Sequence, residues 1–523
     1  MKSFIFCLIT SIILIVTLPT ITANNWSNIK IIKERIFLPD GNISLAEAPS
    51  IAAWGNNIYI VWGEWANEFE NCIYYKRSSD DGRTWTNETI LINSNFSTVY
   101  PKIGVYKDNV HVIWKDYRNG NPEIYYIRST DNGNTWSKPI RLTFNDTRPT
   151  NIYECKLVVD EKNVYLCWKD YRTGSSEIFF KKSTDNGNTW SEDKRVTIDF
   201  SPSYNPSMYV NNKNIYLVWE EGALNARICF KRSIDNGETW SKKIYLTEKH
   251  PGKSTMPDIC GNTSNIYVVW QDTRDGNSEI YFKKSTDNGN TWSEDKRLTF
   301  DPAMSFQPKI VVYDKKLVVF WLDKRNGNTE IYYKVSNDSG TTWSEDKRLT
   351  YTKVNNYDLD ITYQGENLYL VWQKYYGGEG GEIAYEQFIS DNPSIIGIKI
   401  PNRKITYFSN TKIKIYGVDN KYNLSDLTCI VEFRNVTTNK WKNISSNFNK
   451  TCWEIKFPIL NITPGVYQFK AMITNPEGKQ SKWIYSPEIT LVHLKTRKTT
   501  PGFELLITVL ASLIILISGR IKK

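Results

Sequence analysis

Four arginines recur in the chain, each preceded two residues earlier by an aspartate and followed by a glutamate. The pairs are Asp116-x-Arg118, Asp170-x-Arg172, Asp272-x-Arg274 and Asp323-x-Arg325, and the glutamates are Glu123, Glu177, Glu279 and Glu330. A guanidinium is a planar fork that matches a carboxylate bidentately, so arginines gathered on one face could hold an acidic group. Near-identical repetition also fits a simpler interpretation, an ion pair that stabilises each loop.

A ligand site that needs different side chains from different repeats would have to depart from this repetition. The chain breaks it at Glu64-Trp65, at Glu220-Glu221 and at Tyr375-Tyr376, which precede a glycine-rich segment. Aromatic side chains could stack on the apolar faces of sugar rings, although ordinary surface aromatics are the competing interpretation. The candidate ligand-face residues are therefore Arg118, Arg172, Arg274, Arg325, Trp65, Tyr375, Tyr376 and Glu220.

These loops belong to a repeated unit that also contains a turn motif, Ser-x-Asp-x-Gly-x-Thr-Trp. The motif occurs six times along the chain. Its aspartates are Asp80, Asp131, Asp185, Asp235, Asp287 and Asp338, and its tryptophans are Trp85, Trp136, Trp190, Trp240, Trp292 and Trp343. The aspartate can accept backbone hydrogen bonds, the glycine supplies a positive φ, and the tryptophan can pack under neighbouring strands. These roles are structural, so we assign the six aspartates to folding.

A second tryptophan closes the second strand of each unit, and it occurs seven times. These residues are Trp62, Trp114, Trp168, Trp219, Trp270, Trp321 and Trp372. The seventh unit lacks the turn motif and a fourth strand, whereas Trp26-Ser27 followed by Lys33-Glu-Arg35-Ile36 resembles that missing piece. An N-terminal strand that completes the last sheet would close a ring and protect its edges. We predict an all-β, seven-bladed β-propeller closed in this way.

The six turn motifs resemble the Asp-box, or BNR repeat, of the sialidase-like β-propellers, over about residues 26–388. Because of this resemblance, a six-bladed propeller is the alternative to the seven-bladed one. The resemblance implies that the loops between second and third strands lie on the functional face and the Asp-boxes on the opposite one. A sialidase would also need three arginines from different blades, a tyrosine–glutamate pair and an acidic proton donor. No tyrosine–glutamate pair stands out from the repeat, and relatives of this kind also include sugar-binding surface proteins.

Both ends of the chain indicate export. Residues 1–23, with Lys2 before an apolar run, predict a signal peptide, and a retained membrane anchor is the alternative. Pro501-Gly502-Phe503, a following apolar run and a basic end resemble the archaeal PGF-type C-terminal sorting signal. That resemblance implies cleavage by a sortase-type enzyme and a lipid anchor, whereas a single transmembrane helix is the alternative. Either outcome predicts an extracellular, membrane-anchored protein.

The domain organisation follows from where the repeat stops. We predict the propeller over 24–390, an Ig-like β-sandwich of short alternating strands over 391–493, and a linker with the anchor segment over 494–523. Cys429 and Cys452 lie in neighbouring strand-like runs and are a possible disulfide. Cys155 and Cys167 would face each other if their hairpin turns near residue 161.

Composition narrows the function classes. The formal net charge is +10, but basic and acidic residues are interleaved, so no nucleic-acid footprint is expected. Three histidines in the chain make a His-ligated metal site improbable, and we expect no cofactor. We predict a surface protein that binds glycans or cell-surface polymers. The alternatives are an exo-sialidase-type glycoside hydrolase and a surface-layer component that uses its propeller for protein contacts.

Overall fold

In a computed structural model, the chain divides into two compact units, Met1–Phe388 and Ile389–Lys523. The structure describes residues 26–27, 29–36, 43–67, 70–94, 96–144, 154–313, 315–365, 367–377 and 380–388 of the first unit, and residues 394–399, 405–406, 411–418, 428–435, 441–444, 447–449, 452–457, 465–474, 484–485, 489–491 and 510–511 of the second. Regular structure in these residues is β-strand throughout, and they contain no helix long and apolar enough to cross a membrane.

The first unit contains 28 described strands. They are β1 (Lys30–Lys33), β2 (Leu45–Trp54), β3 (Asn57–Asn67), β4 (Glu70–Ser78), β5 (Thr89–Ser94), β6 (Thr98–Tyr106), β7 (Asn109–Asp116), β8 (Glu123–Ser129), β9 (Ile140–Arg141), β10 (Cys155–Asp160), β11 (Asn163–Asp170), β12 (Glu177–Ser183), β13 (Lys194–Arg195), β14 (Ser203–Asn211), β15 (Asn214–Glu221), β16 (Arg227–Ser233), β17 (Ile244–Tyr245), β18 (Ser254–Asn262), β19 (Asn265–Asp272), β20 (Glu279–Ser285), β21 (Lys296–Arg297), β22 (Ser305–Tyr313), β23 (Lys316–Asn326), β24 (Asn328–Ser336), β25 (Lys347–Arg348), β26 (Asn355–Gln364), β27 (Asn367–Tyr375) and β28 (Gly381–Phe388).

Strands β2 to β25 form six successive antiparallel groups of four, in which each strand pairs with the next along the chain. A seventh group contains β26, β27 and β28, and its fourth strand is β1 from the start of the chain. Strand β1 pairs antiparallel with β28, with Lys30 opposite Tyr385. The first strands of the groups contact one another in cyclic order, and β26 returns to β2. This is the closing pair that the sequence predicts for the N-terminal strand.

The second strand of each group is buried on both faces, which explains its continuous apolar sequence. In β11, Val164 to Trp168 are fully buried between adjacent sheets. The seven tryptophans that close these second strands are all completely buried. Because an aromatic side chain of this size removes about 150–250 Å² from water, they dominate the packing between neighbouring sheets.

The turn between the third and fourth strands locks one sheet to the sheet before it. In the turn after β20, Asp287 accepts hydrogen bonds from the Thr291 N–H at 2.9 Å and the Thr291 hydroxyl at 2.6 Å. Gly289 has φ +79°, and a Cβ there would lie 2.6 Å from the Phe230 ring of the preceding sheet. Trp292 meets the same ring edge-on, with centroids 5.1 Å apart. The glycine is therefore needed for both conformation and space.

The same tryptophan contact occurs at all seven boundaries between adjacent groups. The pairs are Trp85–Tyr385, Trp136–Tyr75, Trp190–Tyr126, Trp240–Phe180, Trp292–Phe230, Trp343–Phe282 and Trp26–Tyr333. Trp26 lies just before β1, so it takes the role that the six turn-motif tryptophans have elsewhere.

Of the two predicted cysteine pairs, one is contradicted by the structure and the other is not tested. Cys155 pairs across the hairpin with Trp168, and Cys167 pairs with Lys156. The two cysteines are therefore offset by one residue, which turns their side chains to opposite faces, and neither forms a disulfide. The prediction that they face each other is wrong by that one residue. The side chain of Cys452 lies outside the described residues, so the Cys429–Cys452 bridge stays a prediction.

The second unit contains two main antiparallel sheets. Its strands are β29 (Ser394–Lys399), β30 (Ile405–Thr406), β31 (Thr411–Val418), β32 (Thr428–Asn435), β33 (Trp441–Ile444), β34 (Asn447–Asn449), β35 (Cys452–Phe457), β36 (Gly465–Thr474), β37 (Ile484–Tyr485), β38 (Ile489–Leu491) and β39 (Leu510–Ala511). One sheet has the order β29-β31-β35-β34, and the other has β33-β32-β36-β37 with β38 also on β36.

The predicted ends of the chain lie almost wholly outside the described residues. Of the predicted anchor helix, only Leu510–Ala511 is described, and it pairs with Ile405–Thr406 as β39 with β30. The signal peptide and Pro501-Gly502-Phe503 lie outside the described part of the chain. Export, anchoring and the Ig-like assignment therefore remain predictions.

Candidate functional site

The loops between second and third strands form one face of the first unit, which we call the loop face. In the fifth group, Asp272 is fully buried at the end of β19. It accepts hydrogen bonds from the Trp270 indole N–H at 2.9 Å and from the Arg274 guanidinium at 2.7 Å. The other arm of Arg274 binds Asp295 at 2.8 Å. Burial raises the pKa of Asp272, but these hydrogen bonds outweigh it and leave the pKa below its usual value.

The same ion pair holds the three other predicted arginines. The shortest contacts are 2.6 Å for Arg118–Asp116, 2.6 Å for Arg172–Asp170 and 2.7 Å for Arg325–Asp323. Each guanidinium also covers an aromatic ring of the third strand, those of Tyr125, Phe179 and Tyr332. The arginines are 18–32% exposed. Their forks are thus engaged by the chain's own carboxylates, which leaves little capacity for an incoming one.

The glutamates that follow these arginines are part of the same scaffold. Glu279 is fully buried, and it accepts hydrogen bonds from the Arg297 guanidinium at 2.8 Å and the Asn277 amide at 2.9 Å. The Thr299 hydroxyl donates to its other oxygen. Glu123, Glu177 and Glu330 make equivalent bonds to an arginine of their fourth strand and to the threonine two residues after it. These carboxylates fix the fourth strand to the third.

The predicted aromatic candidates lie where the first and last groups meet. Leu45 is opposite Trp65 on one side and Gly381 on the other, and Gly381 is opposite Tyr375. Trp65 and Tyr375 therefore lie on one line of four strands. Trp65 is 36% exposed and donates its indole N–H to Glu47 at 2.6 Å.

Tyr376 is already engaged by two charged neighbours. Its ring lies under the Arg35 guanidinium, 3.9 Å from the ring centroid. Its hydroxyl donates to Glu382 at 2.7 Å. Tyr375 is half-buried and also contacts another tyrosine ring, so Trp65 is the most exposed of the predicted aromatic residues.

A second aromatic set, which the sequence analysis did not single out, lies on the loop face of the second to fourth groups. We call it the tyrosine group, and it consists of Tyr100, Tyr117, Tyr171 and Tyr204. Lys115 Nζ lies 4.8 Å from the Tyr117 ring centroid and 6.0 Å from that of Tyr100. Lys169 Nζ lies 5.2 Å from the Tyr204 ring and 5.8 Å from the Tyr171 ring. Each lysine thus holds two tyrosine rings by cation–π contact.

Two carboxylates border the tyrosine group. Glu154 binds Lys169 at 2.8 Å and also accepts the backbone N–H of Asn205. Glu220, predicted as a candidate, is 8% exposed and accepts the backbone N–H of Met256 at 3.0 Å. Burial raises the pKa of Glu220, and the nearby Glu154 charge adds to this. Burial also lowers the pKa of Lys115 to about 8.

The tyrosine group adjoins a cavity of about 590 Å³ that is enclosed by the first strands. Tyr100 and Glu154 line it, together with Asn205 and Met256. One ring of the tyrosine group and the carboxylate paired with Lys169 therefore line a concave space, and the rest of the group lies beside it. Such a combination of apolar faces with a few fixed polar groups is typical of sites for polar ring-shaped ligands.

One sequence signal could have located this site. The residue after the buried tryptophan of each second strand varies around the ring, as Gly63, Lys115, Lys169, Glu220, Gln271, Leu322 and Gln373. The tryptophan before it never varies. Two lysines and a glutamate are therefore consecutive in this series, at the groups that carry the tyrosines.

Comparisons with known proteins agree with a repeat fold. Residues 105–269, from β6 to β19, match the family described as BNR repeat-like domain. No curated protein matches the chain in sequence.

Solved structures with some similarity include a protein of unknown function from Dyadobacter fermentans, at 13% identity and a TM-score of 0.44, over 69% of this chain and 99% of that one. A Trypanosoma rangeli sialidase mutant with trans-sialidase activity has 12% identity and a TM-score of 0.41, over 94% and 92%. A polysaccharide lyase, the PL25 ulvan lyase, has 10% identity and a TM-score of 0.49, over 67% and 95%. With TM-scores below 0.5, these similarities carry no argument about a ligand.

Proposed function

We propose that the protein is an exported, surface-anchored, seven-bladed β-propeller that binds glycans through its loop face. The seven four-stranded groups are its blades, the second unit is an Ig-like stalk, and the C-terminal segment provides the anchor. The closing pair of β1 with β28 and the cyclic contacts of the first strands support the blade number. The two predicted terminal segments support export and anchoring.

The tyrosine group is the observation that carries the glycan proposal. Sugar rings have apolar C–H faces that pack on aromatic rings, and hydroxyl groups that need charged or polar partners. Tyr171 and Tyr204 provide such rings, and both lie beside the Lys169 ammonium group. Glu154 lies at the same place, held at 2.8 Å by Lys169. Since both rings are only half-buried, they retain faces for a ligand.

The ion pairs of the four repeated arginines argue against a sialidase-type clamp. Each arginine would have to leave a fully buried aspartate before it could bind a substrate carboxylate, and an uncompensated buried charge is costly. The proposed ligand is therefore held by aromatic rings and by the lysine–carboxylate pair, and the arginine loops frame it.

A glycoside hydrolase is the second candidate, and one observation favours it. Glu154 is bound to a lysine, whereas Glu220 is buried with a raised pKa. Two carboxyl groups in contrasting surroundings are the pattern of a general acid and its anionic partner. Turnover of fluorogenic glycosides that is lost in Glu220→Gln would establish this activity.

The test of glycan binding uses the full chain on a glycan array, followed by titration of the best ligand. Tyr204→Ala is expected to weaken binding at least tenfold, because it removes a ring face. Tyr106→Ala is the matched control. Tyr106 is also half-buried, but it lies at the end of β6 that is remote from the loop face. Circular dichroism and urea unfolding verify that each variant is folded.

A Trp65→Ala variant separates the two aromatic sets. Binding that survives Trp65→Ala but not Tyr204→Ala supports the tyrosine group. The reverse result moves the site to the junction of the first and last blades. An array on which the folded wild-type protein retains no glycan overturns the proposed function.

A further inference from the structure

The cavity enclosed by the first strands contains a ring of seven equivalent residues. Each pairs with the residue just before the buried tryptophan of the neighbouring second strand, as Lys102 does with Ile113. We call this set the channel ring, and it consists of Ser50, Lys102, Lys156, Ser207, Asp258, Lys309 and Asp360. All seven line the same cavity. The ring therefore brings three lysines and two aspartates into one enclosed space.

Both aspartates already have hydrogen-bond donors from adjacent groups. Asp360 accepts the Ser50 hydroxyl at 2.7 Å and the Ile51 backbone N–H at 3.1 Å. Asp258 accepts the Ser207 hydroxyl at 2.9 Å and the Ile310 backbone N–H at 3.0 Å. These bonds hold the carboxylates against the wall, where they join successive sheets.

The lysines are less well satisfied than the aspartates. Lys156 Nζ approaches Asp258 only to 4.0 Å. Among the described residues, none lies within hydrogen-bonding distance of Lys102 Nζ or Lys309 Nζ. Ammonium groups each carry three donors, so the channel ring has unused donors and one more positive charge than negative.

Two further carboxylates line the cavity nearer its loop-face end. Glu154 is neutralised by Lys169, and Asp358 is exposed to solvent. Neither lies in the channel ring. The Cys155 and Cys260 thiols and the Tyr209 and Tyr363 hydroxyls also face the cavity, and burial raises their pKa values, which keeps them neutral near pH 7.

The lysines and aspartates of the ring shift one another's pKa values, and the two aspartates raise the pKa of Lys156 against the effect of its burial. Burial lowers the pKa of Lys309, and the neighbouring lysines add to this against the two aspartates. Burial raises the pKa of Asp360, but Lys102, Lys156 and Lys309 outweigh it and the pKa is lowered. An anion placed among the three ammonium groups would relieve the repulsion between them.

We propose that the channel ring binds a compact oxyanion through Lys102, Lys156 and Lys309. Sulfate and phosphate have the size and the several acceptor oxygens that three converging ammonium groups can satisfy. The same chemistry is found at the sulfate or phosphate ester of a larger molecule that enters from the loop face. This site shares its cavity with the tyrosine group, but it uses other residues and does not depend on glycan binding.

The test is calorimetric titration of the full chain with inorganic sulfate and with phosphate, at constant ionic strength set by chloride. Lys309→Met and Lys102→Met are each expected to weaken binding at least tenfold. Lys213→Met is the matched control, because Lys213 is exposed at a turn between first and second strands. Asp360→Asn is expected to tighten binding at least threefold, since it removes a negative charge and keeps an acceptor for Ser50.

The Asp360 variant protects the test against a folding artefact, because a damaged site cannot bind more tightly. Glucose 6-phosphate identifies the source of the oxyanion: tighter binding than inorganic phosphate indicates an ester group, and weaker binding indicates the free ion. Sulfate and phosphate binding no stronger than chloride binding would overturn the proposal. Equal affinities in wild type, Lys102→Met and Lys309→Met would do the same.

Discussion

Trp26 packs edge-on against Tyr333, with ring centroids 5.4 Å apart and an interplanar angle of 67°. Its indole N–H also donates to the Tyr333 hydroxyl at 3.1 Å, across 307 residues of sequence. The other six boundaries have the same contact, but their tryptophans come from the turn motif. The N-terminal segment is therefore a structural part of the ring.

Trp26→Ala should destabilise the first unit. It removes a large aromatic side chain from the last boundary, where the Trp26 ring packs against Tyr333, Phe320 and Phe388. The expected loss in the free energy of unfolding is about 3 kcal/mol, measured by urea denaturation. Trp65→Ala is the control, since Trp65 is 36% exposed and should cost far less. Equal effects of the two substitutions would contradict a closing role for Trp26.

Arg274→Met should reduce stability and leave ligand binding unchanged in the folded protein. The substitution strands Asp272, which is fully buried, without its charged partner. Breaking a buried pair in this way costs about 3 kcal/mol, and urea unfolding measures it. Arg83→Met provides the comparison, because Arg83 is exposed. Lost glycan binding with unchanged stability would instead identify Arg274 as a ligand residue.

The Asp-boxes predict a loss of stability in acid. Hydrogen bonds from the hydroxyl and backbone N–H of Thr291, then from Ser285, lower the pKa of Asp287 to about 2. Because the folded pKa lies below the unfolded value, the stabilisation is complete above about pH 4 and is lost as the pH falls towards 2.

Asp287→Asn should flatten this dependence, since the amide keeps an acceptor oxygen but carries no titrating charge. The urea midpoint measured from pH 2 to pH 6 would show a smaller change than in wild type. Glu294→Gln is the control for removing a nearby exposed charge. Identical pH profiles for Asp287→Asn and wild type would rule out this contribution of the box.

Glu386 predicts the opposite trend at higher pH. It is 4% exposed, and burial raises its pKa to about 8. No described residue is a hydrogen-bond partner of its Oε2. A raised folded pKa gives stability that is complete below the unfolded value of 4.5 and is lost as the pH rises through about 8.

Between these values the wild-type free energy of unfolding should fall, with a slope of up to about 1.4 kcal/mol per pH unit. Glu386→Gln should remove this part of the slope, because the amide does not ionise. Urea unfolding at pH 5, 7 and 9 tests it, with Glu248→Gln as the exposed control. A wild-type slope that persists in Glu386→Gln would assign the dependence to other groups.

Local features of the fold were predictable from sequence because their contacts are short in sequence. The Asp-box joins residues two to four apart, as in Ser285, Asp287 and Thr291, and the arginine loop joins residues two apart. The N-terminal strand was also predictable, because Trp26 and the following basic residues repeat an internal pattern. The tyrosine group was not, since Tyr117 and Tyr171 lie in the Asp-x-Arg loops but Tyr100 and Tyr204 come from other strands, and the four belong to three different groups.

The sequence by itself determined the repeated strands, the turns between them and the assignment of the six box aspartates to folding. Only the tertiary structure decided which polar residues are available to a ligand. Six of the seven first strands shift register near their start, as between Val99 and Lys102, and such a bulge changes which face a side chain takes. Ring closure then gathers those inward-facing residues from distant parts of the chain. The convergence of Lys102 with Lys309 on one cavity follows from this geometry.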